Sequence, residues 1–140
     1  DFIVIEAGAK FTAAYVKAGL VPDGGLTASL ARMIPRPLAM EMCVLGRPAV
    51  AERMLALGAV NAVVDGEQVI AEAHVWADVV AVGPRDAQGR IRSMVATAYD
   101  HSEAAQLDLE RDAMAFAVGE DEAAEGIAAF LEKRKPEYGG

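Results

Sequence analysis

The stretch GLVPDGGLTASLARMI, residues 19–34, decides how the chain is read. Pro22-Asp23-Gly24-Gly25 is a turn signal. Immediately after it, Leu26, Leu30, Met33 and Ile34 recur at helical spacing. Pro35 and Pro37 stop that helix and open the next, because proline suits a first helical turn. LAMEMCVLG then runs to Gly46, and PAVAERMLALG repeats the design. It has Pro48 near its start, Val50, Met54 and Leu57 on one face, and Gly58 beyond its end.

Upstream, FIVI at residues 2–5 is a β-branched and aromatic run that predicts a buried strand, and KFTAAYV holds room for a second. AVNAVVD predicts another short strand and EQVIAEAHVWADVVAV a helix. From Pro84 onward the chain turns helical throughout. Ile91, Met94, Val95, Ala98, Ser102 and Ala105 form a narrow stripe that Leu109, Ala113 and Phe116 continue after a phase shift. That pattern fits one long helix or two joined ones, ended by Gly119. The last helix is EDEAAEGIAAFLEKRKP, with three acids in its first turn and three bases in its last, the order that suits the helix dipole. A few short strands make a poor sheet alone. Either the domain is nearly all-α, or its sheet partners lie outside these residues. The N-terminal DFIVIEAGAKF carries no basic region before its apolar run, so it is read as mid-protein sequence rather than as a signal peptide.

The chain has 140 residues, 54% of them hydrophobic, which excludes disorder. A net charge of −8 argues against non-specific contact with nucleic acid or an anionic membrane, and no apolar run reaches spanning length. The single cysteine, Cys43, excludes an intrachain disulfide and a cysteine metal cluster and fits a reducing, cytoplasmic setting.

Asp23 is the first candidate for chemistry, and it has two readings. Aspartate is favoured in turns and before helices, where it caps backbone N–H groups. Equally, the turn can lift a carboxylate out of the backbone while Gly24 and Gly25 leave space beside it for a ligand. Walled by Leu20, Val21 and Leu26, such a carboxylate could take and return a proton. His74 and His101 stand alone, with no metal-like spacing around them, so no metal is expected. Cys43 reads as core, Trp76 as a packing residue, and the six methionines as core filler or as the lining of a pliable acyl pocket. The basic run EKRKP, residues 132–136, is either a solvated helix end or the place for a phosphate-bearing ligand. No Gly-rich phosphate loop and no Ser-His-Asp arrangement is present.

AKFTAAYVKAGLVPDGGLTASLARMIPRPLAMEMCVLG resembles the segment of enoyl-CoA hydratase/isomerase (crotonase) proteins that reads roughly A-x-F-x-x-P-E-x-x-x-G-L-x-P-x-x-G-G-T-x-x-L-x-R. RPAVAERMLALGAVNAVVD is similar to the family's A-x-x-A-x-x-x-G-L-V-x-x-V-V stretch, and GEDEAAEGIAAFLEKRKPEYGG to its C-terminal signature S-x-D-x-x-E-G-x-x-A-F-L-E-K-R-x-P. The resemblance implies an α/β, crotonase-like fold: the last part of a ββα spiral core with the active-site rim at residues 1–66, and a helical oligomerisation and coenzyme A-contacting region at 67–140. It also implies where missing strands lie. Family members are about twice as long, and their N-terminal half supplies most of the spiral and the two N–H groups of the thioester oxyanion hole. The expected partners are therefore an N-terminal half of the same subunit and further copies, in a trimer or a dimer of trimers.

The resemblance assigns roles residue by residue. Family hydratases place a catalytic Glu where this chain has Tyr15. Hydration uses two carboxylates on one water, and a neutral phenol is a poor substitute. Asp23 matches the position of the working carboxylate in several isomerases, and a 1,3-proton shift needs only one. The G-L-x-P-D-G-G form is most similar to isomerases of phenylacetate-type ring degradation. Tyr15, Pro22, Gly24, Gly25 and Leu26 fall at the acyl site, with Leu26 in place of a third Gly, where it could narrow the pocket. Phe130 and Lys133 match positions near the coenzyme A nucleotide of an adjoining subunit. The expected function is an enoyl-CoA isomerase acting through a thioester enolate, with coenzyme A entering only as part of the substrate and no other cofactor. The alternatives are an enoyl-CoA hydratase, a half-length chain that only assembles with partners, and, from composition alone, an unrelated α-helical binding domain.

Overall fold

The computed structural model describes residues 1–139. They form two compact units, residues 1–76 and 77–139, and the division falls inside a helix.

In the first unit, β1 (Val4–Glu6) lies parallel to β4 (Ala62–Val64), pairing Val4 with Ala62, Ile5 with Val63 and Glu6 with Val64. Parallel neighbours need a long crossover. Here it contains β2 (Lys10–Phe11), a 3₁₀ turn (Ala14–Ala18), α1 (Leu26–Met33), α2 (Arg36–Leu45), β3 (Ala49–Val50) and α3 (Ala51–Ala56). Asn61 fixes the register at the entry to β4. Its side-chain oxygen accepts the Ile3 N–H at 2.8 Å, and its own N–H donates to the Ile3 carbonyl at 2.9 Å.

β3 corrects the helical reading of PAVAERM. Ala49 and Val50 pair antiparallel with Phe11 and Lys10, and the Ala51 N–H donates to the Ala9 carbonyl at 2.9 Å. Val50 and Leu57 consequently point to solvent, and only Met54 of the expected face is buried. Likewise Met33 is exposed, while Leu30 and Ile34 are buried.

The core of this unit gathers Ala13, Leu30, Ile34, Leu38, Ala39, Met42, Ala49, Met54, Ala59 and Val60, with Cys43 and Leu26 against its edge. Met42 and Met54, at 2% and 1% exposure, are its largest fully buried side chains. Each contributes about 1.5–3 kcal/mol by leaving water. Met40 is exposed, so the methionines do not act together as one lining. Trp76 has a packing role. Its ring centroid lies 5.2 Å from that of Phe2, and its indole N–H donates to Glu72 at 2.8 Å.

The second unit takes over within α4 (Val69–Ala81) and continues through α5 (Arg85–Thr97), α6 (Glu103–Ala117) and α7 (Asp121–Glu132). The long helical pattern is thus two helices. The break falls at residues 98–102, where the Ser102 hydroxyl caps α6 by accepting the Ala105 N–H at 3.3 Å. Glu122 of α7 caps α5 in turn, its carboxylate accepting the N–H groups of Asp86 and Ala87 at 2.9 and 3.1 Å. The last helix stops at Glu132, short of the three bases expected in its final turn. Lys133 adopts the left-handed conformation, φ 55°, and reverses the chain.

Candidate active site

Two devices bring Tyr15 and Asp23 together. Tyr15 sits in the 3₁₀ turn, which Gly19 closes at φ 71°. There the Gly19 N–H donates to Val16 and the Leu20 N–H to the Tyr15 carbonyl, both at 3.0 Å. Asp23 opens a second reversal. The Leu26 N–H donates to its carbonyl at 3.1 Å, and the two residues between are Gly24 at φ 59° and Gly25 at φ 81°. Two successive positive φ angles make this a type I′ turn, which L side chains resist. A Cβ on either glycine would meet nothing within 4 Å, so open space lies beside the carboxylate.

The Tyr15 hydroxyl donates to Oδ1 of Asp23 at 3.0 Å. This hydrogen bond, then the aspartate's negative charge, then burial push the phenol above its ordinary value and keep it a neutral donor. The capping reading of Asp23 does not hold. Gly25 occupies the N-cap position of α1, and no side chain caps that helix. The expected apolar wall is also only partly present. Leu26 is half-buried against the core and Pro22 is half-buried, but Leu20 and Val21 are exposed, because the segment between the two turns runs over the surface.

The other sequence candidates belong to the second unit. Phe130 is 82% exposed near the end of α7. Lys133 follows it at the chain reversal, and among the described residues it pairs with no carboxylate. Arg134, next to it, is fully engaged: its guanidinium meets Glu125 at 2.6 and 2.9 Å and Glu132 at 2.6 Å. Glu125 also accepts the Glu137 N–H at 2.7 Å, and its carboxyl is pushed down to about 2, first by Arg134 and then by that N–H. The basic run therefore offers Lys133 rather than Arg134 to an anion. Sequence spacing missed this clamp, since a reach of nine residues exceeds any helical repeat. His74 and His101 are exposed, and no group of three metal-ligating side chains occurs among the described residues.

The family model for enoyl-CoA hydratase/isomerase matches residues 1–140. The chain is 36% identical to the 1,2-epoxyphenylacetyl-CoA isomerase of Escherichia coli (strain K12), over all of this chain and 53% of that protein. It is 33% identical to an enoyl-CoA hydratase of Mycobacterium tuberculosis (strain ATCC 25618 / H37Rv), over 99% of this chain and 52% of that protein. Among solved structures, an enoyl-CoA hydratase from Polaromonas sp. JS666 superposes with a TM-score of 0.94 at 37% identity, over 99% of this chain and 54% of that one. The chain spans about half the length of the curated relatives it matches.

Proposed function

The chain belongs to the enoyl-CoA hydratase/isomerase family and has its crotonase-like α/β fold; on that premise we propose that it carries the proton-transferring side of an enoyl-CoA isomerase site, with Asp23 as the shuttle. The observation that carries this reading is the pairing at Asp23: the group facing it is the Tyr15 phenol, where hydration would call for a second carboxylate.

The chemistry follows from one carboxylate. Asp23 removes a proton from the carbon between the thioester carbonyl and the double bond of a 3-enoyl thioester. The electron pair left behind spreads through the double bond to the thioester oxygen as a dienolate. Asp23, now protonated, returns the proton two carbons away, and the double bond comes to rest in conjugation with the carbonyl. Donors facing the oxygen stabilise the enolate. We assign them to an N-terminal half of the same subunit. Gly24 and Gly25 give the acyl chain access, with Tyr15, Pro22 and Leu26 around it. Phe130 and Lys133 are assigned to coenzyme A, the lysine as a charge for phosphate. Exposed Ile127, Phe130 and Leu131 on α7 fit assembly with further copies. No helix among the described residues is long and apolar enough to cross a membrane; the cytoplasmic setting belongs to the same proposal.

The test is a pair of assays on the complete subunit, with 3-hexenoyl-CoA and 2-hexenoyl-CoA, for the parent and Asp23→Asn. Conversion of the first to the second, lost by about 10²–10⁴-fold in the variant with folding intact, supports the isomerase. Formation of a 3-hydroxyacyl thioester from the 2-enoyl substrate as the main activity replaces it with the hydratase. An unchanged rate in Asp23→Asn ends the shuttle mechanism.

A further inference from the structure

Tyr15 has little freedom to do anything but serve Asp23. Its carbonyl is held by Leu20, and its turn rests on the end of α2, where a Cβ at buried Gly46 would meet the Lys17 side chain at 3.0 Å and Val16 at 3.2 Å. Asp23 is pinned by the type I′ turn that starts α1. The backbones that carry donor and acceptor are thus placed by two different helix ends, and the two side chains meet at 3.0 Å.

We infer that Tyr15 is a positioning residue for the proton shuttle: its hydroxyl holds Oδ1 of Asp23 and directs Oδ2 to the substrate proton. The inference rests on the proposed isomerase reading. A neutral O–H donor fixes the carboxylate oxygen that accepts it. The phenol's upward shift, caused first by this hydrogen bond, keeps that donor in place through neutral pH. Lys17 lies over Gly46, Glu41 of α2 stands 3.6 Å from Arg47 and 3.9 Å from Arg53, and Arg32 is in the last turn of α1, the opposite end from Asp23.

The experiment measures kcat and KM for 3-hexenoyl-CoA isomerisation, and the rate of deuterium exchange at its C2 carbon in D₂O, on the complete subunit. Tyr15→Phe keeps the half-buried ring and removes the donor. Both kcat and the exchange rate should fall by about 3–30-fold, with KM within about twofold. Tyr15→4-fluorophenylalanine, which fills the hydroxyl's place without a donor, should lose as much, whereas a packing role for the ring alone would be kept. If Tyr15→Phe does not fold, the fluorinated variant decides alone. A kcat and an exchange rate within about twofold of the parent's overturn the inference. Asp23→Asn separates the two claims. If it keeps full exchange, the shuttle itself fails. If it loses exchange while the Tyr15 variants keep the parent's rates, only the positioning role falls.

Discussion

Across the reversal closed by Gly19, the hydroxyl of Tyr15 donates to Oδ1 of Asp23 at 3.0 Å, so a phenol and a carboxylate share one end of the site. Two carboxylates there could hold and activate a water between them. Tyr15→Glu therefore supplies what hydration lacks. In the complete subunit it should raise water addition to 2-hexenoyl-CoA by at least about tenfold relative to isomerisation, read by loss of the enoyl thioester absorbance. A variant that gains no hydration would show that the residue at position 15 does not choose between the two reactions.

The type I′ turn makes a separate prediction. Gly25 has φ 81° and nothing within 4 Å of where a Cβ would stand, so strain from a side chain there is purely backbone strain. Gly25→Ala should destabilise by about 1–2 kcal/mol, and Gly25→Asn by less, since asparagine tolerates the left-handed region. Urea denaturation of the three proteins measures both.

The clamp on the C-terminal segment has a defined pH dependence. The Glu125 carboxyl is held at about 2, below its ordinary value, first by Arg134 and then by the Glu137 N–H. A carboxyl whose value is lower in the folded state adds stability that is present above its unfolded value and disappears as pH falls through the folded one. The clamp should hold at pH 5 and open toward pH 2. A carboxyl-carbon NMR titration of Glu125 should show this low midpoint, and Arg134→Ala should return it toward the ordinary range.

Core packing sets the fourth expectation. Met54 is 1% exposed among Leu30, Ile34, Ala59 and Val60. Met54→Ala should cost about 2–5 kcal/mol and Met54→Leu less than about 1.5 kcal/mol, measured by chemical denaturation of the complete subunit.

Particular residues show where the sequence sufficed. Pro35, Pro37 and Gly46 bracket α2 as read, and the spacing of Leu26, Leu30 and Ile34 gives the buried side of α1, because both signals are local. β3 was hidden inside helical spacing because its reason for existing is Phe11, far away in the chain. The end of α7 was misplaced because Arg134 prefers Glu125 to the helix terminus. At the site, Asp23 stands out from its turn and Tyr15 from the resemblance, but their contact does not. It depends on a 3₁₀ turn and a left-handed Gly19 that no periodicity encodes. The capping role for Asp23 failed for a related reason: two further residues of turn stand between it and α1.

The distribution of buried residues has a dynamic consequence. Among the described residues, eleven of the twelve buried apolar side chains lie between Ala13 and Val60, and the second unit contributes only Ala129. Local opening is resisted by the apolar surface it must wet. Amides of α1 and α2 are thus released only by events that dismantle a whole cooperative block, whereas α5, α6 and α7 breathe at low cost. On the proposed assembly with further copies, a partner surface laid over those helices would supply the interior they lack, and the flexibility of the second unit would read out whether it is in place.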